Sequence, residues 1–206
     1  MAKKARKGAA KKGAARRPAP AKSKAKARKP APRAARPSGP AWKPPGSQQV
    51  IVNLVSSNAG GAIEFYKNAF GAKEQMRMSG PGGMVMHAEL RIGDSVFYIN
   101  DAMPGGPTEA PGQGRKPTSS IQLYVPDVDE VYDRAVQAGA TSTMAVADQF
   151  WGDRMGGIVD PFGQSWGLLT RVKAMSEAQM RKAGEEFMAK MASQGGGGPP
   201  PASAAQ

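Results

Sequence analysis

His87 is the only histidine in this chain, and it stands two residues before Glu89, so any imidazole acid or base chemistry runs through this pair. Its plainer reading is a hydrogen-bonded strand residue. A second chemical group lies in Phe150-Trp151-Gly152-Asp153-Arg154. There Arg154 would anchor an anion beside an apolar wall of Phe150 and Trp151, a combination that suits a small carboxylate or phosphate-like ligand. The competing reading is an ion pair between Asp153 and Arg154 that steadies the local turn. With no cysteine, the chain has no disulfide, no thiolate metal ligand and no cysteine nucleophile. One histidine cannot build a two-histidine metal centre. GGPTEAPGQGRK does not fit the phosphate-loop pattern, and no nucleophile elbow is present.

These groups need a scaffold, and the chain supplies a similar pattern twice, displaced by about 67 residues. The first copy predicts a strand over Val50 to Val55. A helix follows from about Gly60 to Phe70, with Ile63, Tyr66, Ala69 and Phe70 at helical spacing and Gly71 as its cap. Strands at His87 to Arg91 and Ser95 to Asn100 come next. The second copy predicts a strand over Ile121 to Val125 and a helix capped by Asp127 with Glu130 as capping-box partner. Its apolar stripe is Val128, Val131, Tyr132, Ala135 and Val136, it ends at Gly139, and a strand from Thr141 to Val146 follows. Period-2 alternation directs Ile121, Leu123 and Val125 onto the helix and leaves Ser120, Gln122 and Tyr124 to face a cleft on the opposite side. Asn53 is the corresponding cleft-facing residue on the first strand of the first copy.

The second copy closes with Asp148 to Trp166, DQFWGDRMGGIVDPFGQSW. Asp160-Pro161-Phe162-Gly163 reads as a type I turn, with Asp first, Pro presetting φ at the second position and Gly last. It joins Gly156 to Val159 with Gln164 to Thr170 in a hairpin expected at a sheet edge, and Trp166 belongs to the core. Met76, Met78, Met84 and Met86 are read as packing residues. Each copy is thus βαβββ. The expected layout is module one at 48–102, a Pro- and Gly-rich connector at 103–118 and module two at 119–172. An amphipathic helix over 173–194 is capped by Ser176 and Gln179, and a flexible Gly/Pro tail occupies 195–206.

The Asp148 to Trp166 run resembles the DQFWGDR and DPFG-x-x-W signatures of PhnB-like proteins, a branch of the vicinal oxygen chelate superfamily of glyoxalases, extradiol dioxygenases and antibiotic-resistance proteins. The resemblance implies an α+β fold of paired βαβββ modules whose concave sheets share a ligand cleft, often with a divalent metal, in a homodimer. It places the metal ligands of such proteins on Ile51, Phe97 or Tyr98, Ser120 and Gly167. None of these holds a hard cation, so no metal and no cofactor are expected at the usual site. The expected function is binding of a small organic ligand, anions included, by Asn53, His87, Tyr98, Gln122, Tyr124, Phe150, Trp151 and Arg154. One rival is a metal-dependent glyoxalase or dioxygenase with displaced ligands such as His87 and Glu89. Another is an architectural nucleic-acid binder that uses the domain for dimerisation.

Charge divides the chain sharply. Residues 1–46 hold 16 of the 29 cations and no acid. The other 13 cations face all 16 acids, a balance of −3, so the basic net charge belongs to this segment alone. Lys3, Lys4, Arg6, Lys7, Lys11 and Lys12 open the run, and Arg16, Arg17, Lys22, Lys24, Lys26, Arg28 and Lys29 continue it. Such a composition predicts a disordered tail resembling those of linker-histone-like proteins, which grips DNA, RNA or polyphosphate through phosphate charge without reading sequence. The chain shows neither a membrane-spanning apolar run nor a secretory signal, so a cytoplasmic, nucleoid-associated location is expected.

Overall fold

A computed structural model describes residue 43 and residues 47–112 and 116–193; the basic segment up to residue 42 and the Gly/Pro tail at 195–206 lie outside the described residues. The first half runs β1 (Asn53–Ser56), α1 (Ala59–Phe70), β2 (Lys73–Ser79), β3 (Val85–Ile92) and β4 (Ser95–Asp101). The second runs β5 (Ser120–Tyr124), α2 (Val128–Gln137), β6 (Thr141–Asp148), β7 (Asp153–Val159) and β8 (Ser165–Arg171), followed by α3 (Glu177–Ser193). Two four-stranded sheets result, ordered β1-β4-β3-β2 and β5-β8-β7-β6. In each, the first strand pairs in parallel with the last, and the remaining pairs are antiparallel. This is the α+β pair of βαβββ modules that the repeat predicted.

Local chemistry explains the helix ends. Asn58 caps α1 by accepting from the Gly61 amide at 2.9 Å, and Gly71 closes it in the left-handed region at φ 67, where a side chain would be strained. Asp127 caps α2 by accepting from the Glu130 amide at 3.1 Å. Only half of the expected capping box forms, because the Glu130 carboxylate turns along the helix to Arg134, 2.8 Å away. At α3 the box is complete: Ser176 Oγ accepts from the Gln179 amide at 3.3 Å, and Gln179 Oε1 accepts from the Ser176 amide at 2.8 Å.

Several expected boundaries shift. Pairing of the first strand begins at Val52, whose carbonyl accepts from the Tyr98 amide, so Val50 and Ile51 precede the ladder. Helix α2 caps at Ala138, one residue before Gly139. Strand β2 is not among the expected strands. Its residues, Lys-Glu-Gln-Met-Arg-Met-Ser, are mostly polar, with apolar alternation limited to Met76 and Met78, because this edge strand is largely exposed on both faces. The Asp160 hairpin also sits elsewhere than expected: β7 and β8 are the two central strands of their sheet, and β5 and β6 form the edges.

One core serves both modules. Ile63, Tyr66, Ala69 and Phe70 of α1 meet Val128, Val131 and Ala135 of α2, with Leu90 and Ile99 from the first sheet and Ile158, Trp166 and Leu168 from the second. Tyr66 and Phe70 each pack on the Trp166 indole, with ring centroids 5.3 and 4.7 Å away. At the centre Asp160 is only 3% exposed. One of its oxygens accepts from Tyr66 Oη at 2.8 Å and Trp166 Nε1 at 3.0 Å, and the other from the Phe162 and Gln164 amides at 2.9 Å each. Burial, and then the facing carboxylate, push the Tyr66 phenol well above its usual pKa, so it stays a donor.

Candidate functional site

Because the helix-side faces of both sheets converge on that core, Asn53, His87, Tyr98, Gln122 and Tyr124, all predicted to bind ligand, lie on the opposite faces. They form two groups rather than one ring. On the first sheet, Asn53 sits opposite Tyr98 and Tyr98 opposite Glu89, so these three share a face with His87. Asn53 Nδ2 donates to Asn100 Oδ1 at 2.9 Å. The Tyr98 ring lies edge-on to the His87 imidazole, centroids 4.7 Å apart, and Glu89 Oε1 is 3.6 Å from His87 Nε2.

On the second sheet, Ser120, Gln122 and Tyr124 are exposed in turn while Ile121 and Leu123 are half-buried, the alternation read from sequence. Gln122 pairs across from Gly167, and a Cβ there would come within 2.8 Å of Gln122 Cδ and of Met155 Cε. The Gln122 amide thus occupies the space above the position where the superfamily pattern calls for a glutamate, and it donates to Ser120 Oγ at 3.3 Å. Tyr124 Oη donates to Asp153 Oδ2 at 2.8 Å, and Trp151 Nε1 donates to the same oxygen at 3.0 Å. This buried carboxylate, rather than an arginine, gathers the two aromatic residues, and it holds the Tyr124 phenol above its usual pKa. Sequence reasoning missed Asp153 in this role, although alternation carries the signal: neighbours 153 and 154 must point to opposite faces.

Arg154 takes the other side. Its guanidinium grips Asp129, at the start of α2, through two bonds of 2.7 Å, and reaches Asp148 at 3.1 Å. Those hydrogen bonds raise the arginine's pKa and lower that of Asp129. Arg154 is therefore an ion-pair residue on the helix side and no anion anchor in a cleft, and its partner is not Asp153. Phe150 does pack edge-on against Trp151, centroids 4.9 Å apart, and its ring also stacks on Phe187 of α3 at 5.1 Å, so α3 and not Arg154 accompanies this aromatic pair.

The two groups are not joined by a hydrogen bond, ion pair or aromatic contact among the described residues. What lies between the modules is a seam beside β1 and β5. One cavity of about 400 Å³ is lined by Val50, Val52, Val96 and Phe97 from module one and Ile121, Gln122, Leu123, Tyr124 and Trp166 from module two. A second, of about 510 Å³, lies under the connector and brings Asn53 and Ser120 together with Lys116 and Gln164. Among the described residues no three His, Cys, Asp or Glu side chains cluster as a metal would need. Ile51, Tyr98, Ser120 and Gly167 offer no carboxylate or imidazole, so the residues present do not fit the divalent ion of the superfamily's usual corners. No described helix is long and apolar enough to cross a membrane.

Comparison with known proteins agrees with this architecture. An uncharacterized protein of Mycobacterium bovis is 42% identical over 146 residues, covering 69% of this chain and 91% of its own length. An uncharacterized protein of Arabidopsis thaliana is 30% identical over 120 residues, 54% of this chain and 70% of that protein. The crystal structure of protein PA1353 from Pseudomonas aeruginosa shares the fold at a TM-score of 0.50 and 24% identity, covering 61% of this chain and 98% of its own. Residues 48–168 match the family model described as Glyoxalase/Bleomycin resistance protein/Dioxygenase superfamily, and the chain belongs to that superfamily.

Proposed function

We propose that the domain is a PhnB-like binding module that takes a small organic ligand in the seam between its two sheets, without the divalent ion at the superfamily's usual corners. The observation that carries this reading is the seam cavity of about 400 Å³, whose wall is mainly apolar and whose polar groups include Gln122 and Tyr124. A mainly apolar hollow with a few placed donors and acceptors is the usual form of a small-molecule site. Val50, Val52 and Tyr124 at its rim are exposed in one chain, and a second copy laid over the seam would enclose the ligand, which makes a homodimer the functional form. The cationic segment at 1–46 would hold this module on DNA, RNA or polyphosphate by charge alone.

The site is tested with 1-anilinonaphthalene-8-sulfonate, an aromatic anion of suitable size. Val52 is half-exposed, so Val52→Trp fills the hollow without entering the core. Saturable fluorescence enhancement by the full chain, weakened about tenfold or more by Val52→Trp, is expected for a site that depends on fit. Enhancement that is absent, or indifferent to the substitution, contradicts the reading.

A further inference from the structure

The methionines of the first sheet do not behave as the packing residues their type suggests. Met76, Met78 and Met86 are 40%, 53% and 41% exposed. Their spacing is Met-Arg-Met on β2 and Met-Val-Met-His entering β3. The ladder sets Met78 directly across from His87 and Met76 across from Glu89. Both thioethers therefore lie on the same face as the imidazole, one opposite it and one on the diagonal, a separation of roughly 5 to 8 Å that methionine's flexible side chain can close. Near the same hairpin end, Met86 Sδ and Met84 Cε crowd Gly80, at 3.1 and 3.6 Å from where a Cβ would stand.

His87 is poised rather than satisfied. Its imidazole makes no hydrogen bond to another described residue; Glu89 Oε1 at 3.6 Å is too distant for one, and the Tyr98 ring braces the imidazole edge-on. Two neutral thioethers and one imidazole form a soft donor set. Magnesium, calcium and manganese prefer oxygen, and zinc favours thiolate, imidazole or carboxylate, whereas monovalent copper accepts thioether sulfur. The nearby Glu89 carboxylate would balance the single positive charge.

We infer that Met76, Met78 and His87 form a surface site for Cu(I), distinct in its donors from the superfamily's hard-metal corners. The site is independent of the seam ligand, since it lies on β2 and β3 and borders neither cavity of the seam.

The test is anaerobic titration of the full chain with Cu(I) in competition with bicinchoninate, beside Met76→Leu/Met78→Leu, whose replacements keep volume at exposed positions. Far-ultraviolet circular dichroism confirms that the variant is folded. One Cu(I) per chain is expected, undisturbed by equimolar Zn(II) and held about tenfold or more weakly by the variant, as loss of ligands requires. Failure of the parent chain to retain Cu(I), equal affinity in the folded variant, or displacement by equimolar zinc overturns the assignment.

Discussion

Asp160 does at residue scale what the two modules require of each other. Its turn belongs to module two, yet one oxygen receives the Tyr66 hydroxyl from module one, and all four of its bonds come from neutral donors. Asp160→Asn puts an amide N–H against donors that expect an acceptor, and should cost about 2 to 4 kcal/mol in chemical denaturation; Tyr66→Phe should cost about 1 to 2 kcal/mol. Both losses should appear as a lower midpoint for one cooperative transition rather than as a split one. The sequence made the Asp160-Pro161-Phe162-Gly163 turn and the burial of Trp166 legible, because turn chemistry and aromatic placement are local. It did not reveal that the turn's aspartate would be buried, since that depends on Tyr66, 94 residues away. For Asp153 and Arg154 the alternation was visible but the partners were not, because Asp129 and Tyr124 come from other elements.

At the scale of elements, strands and helices with an inward face were readable and those without one were not. Alternation in β5 and the stripe of α2 reflect half-buried elements, whereas the exposed edge strand β2 carries no such imprint. Arg154 ties β7 to the start of α2 through Asp129, and this pair has a pH signature. The Asp129 pKa is lowered in the folded chain, so its contribution is complete above the unfolded carboxylate value of about 3.9 and disappears as pH falls through the lower folded value. Asp129→Asn should therefore be less stable than the parent at neutral pH and approach it in acid. A stability difference unchanged from neutral pH to below the carboxylate range would show that the pair does not couple to folding.

For the whole molecule, Asn53, His87 and Tyr98 fall on one outward sheet face and Gln122 and Tyr124 on the other, because the modules spend their helix-side faces on a common core. The fold class was legible from the repeat, but the site was not, since it depends on how the repeats pack. The tether proposed for the basic segment is electrostatic and is tested separately. Retention of the full chain on duplex DNA should fall steeply with salt, by about 1000-fold or more in affinity between 50 and 200 mM if six or more phosphates are neutralised, while a chain beginning at Ser47 should pass through. Equal retention of the two chains would remove the tether.

This glyoxalase-superfamily domain is proposed to hold an organic molecule in the seam between its two modules, without a divalent metal at the superfamily's usual corners. Native mass spectrometry of the full chain, purified from its own host, tests it most directly. The expected spectrum shows an added mass that gentle activation releases as an organic molecule, without stoichiometric manganese, iron or zinc. One equivalent of manganese, iron or zinc bound to each chain would contradict it.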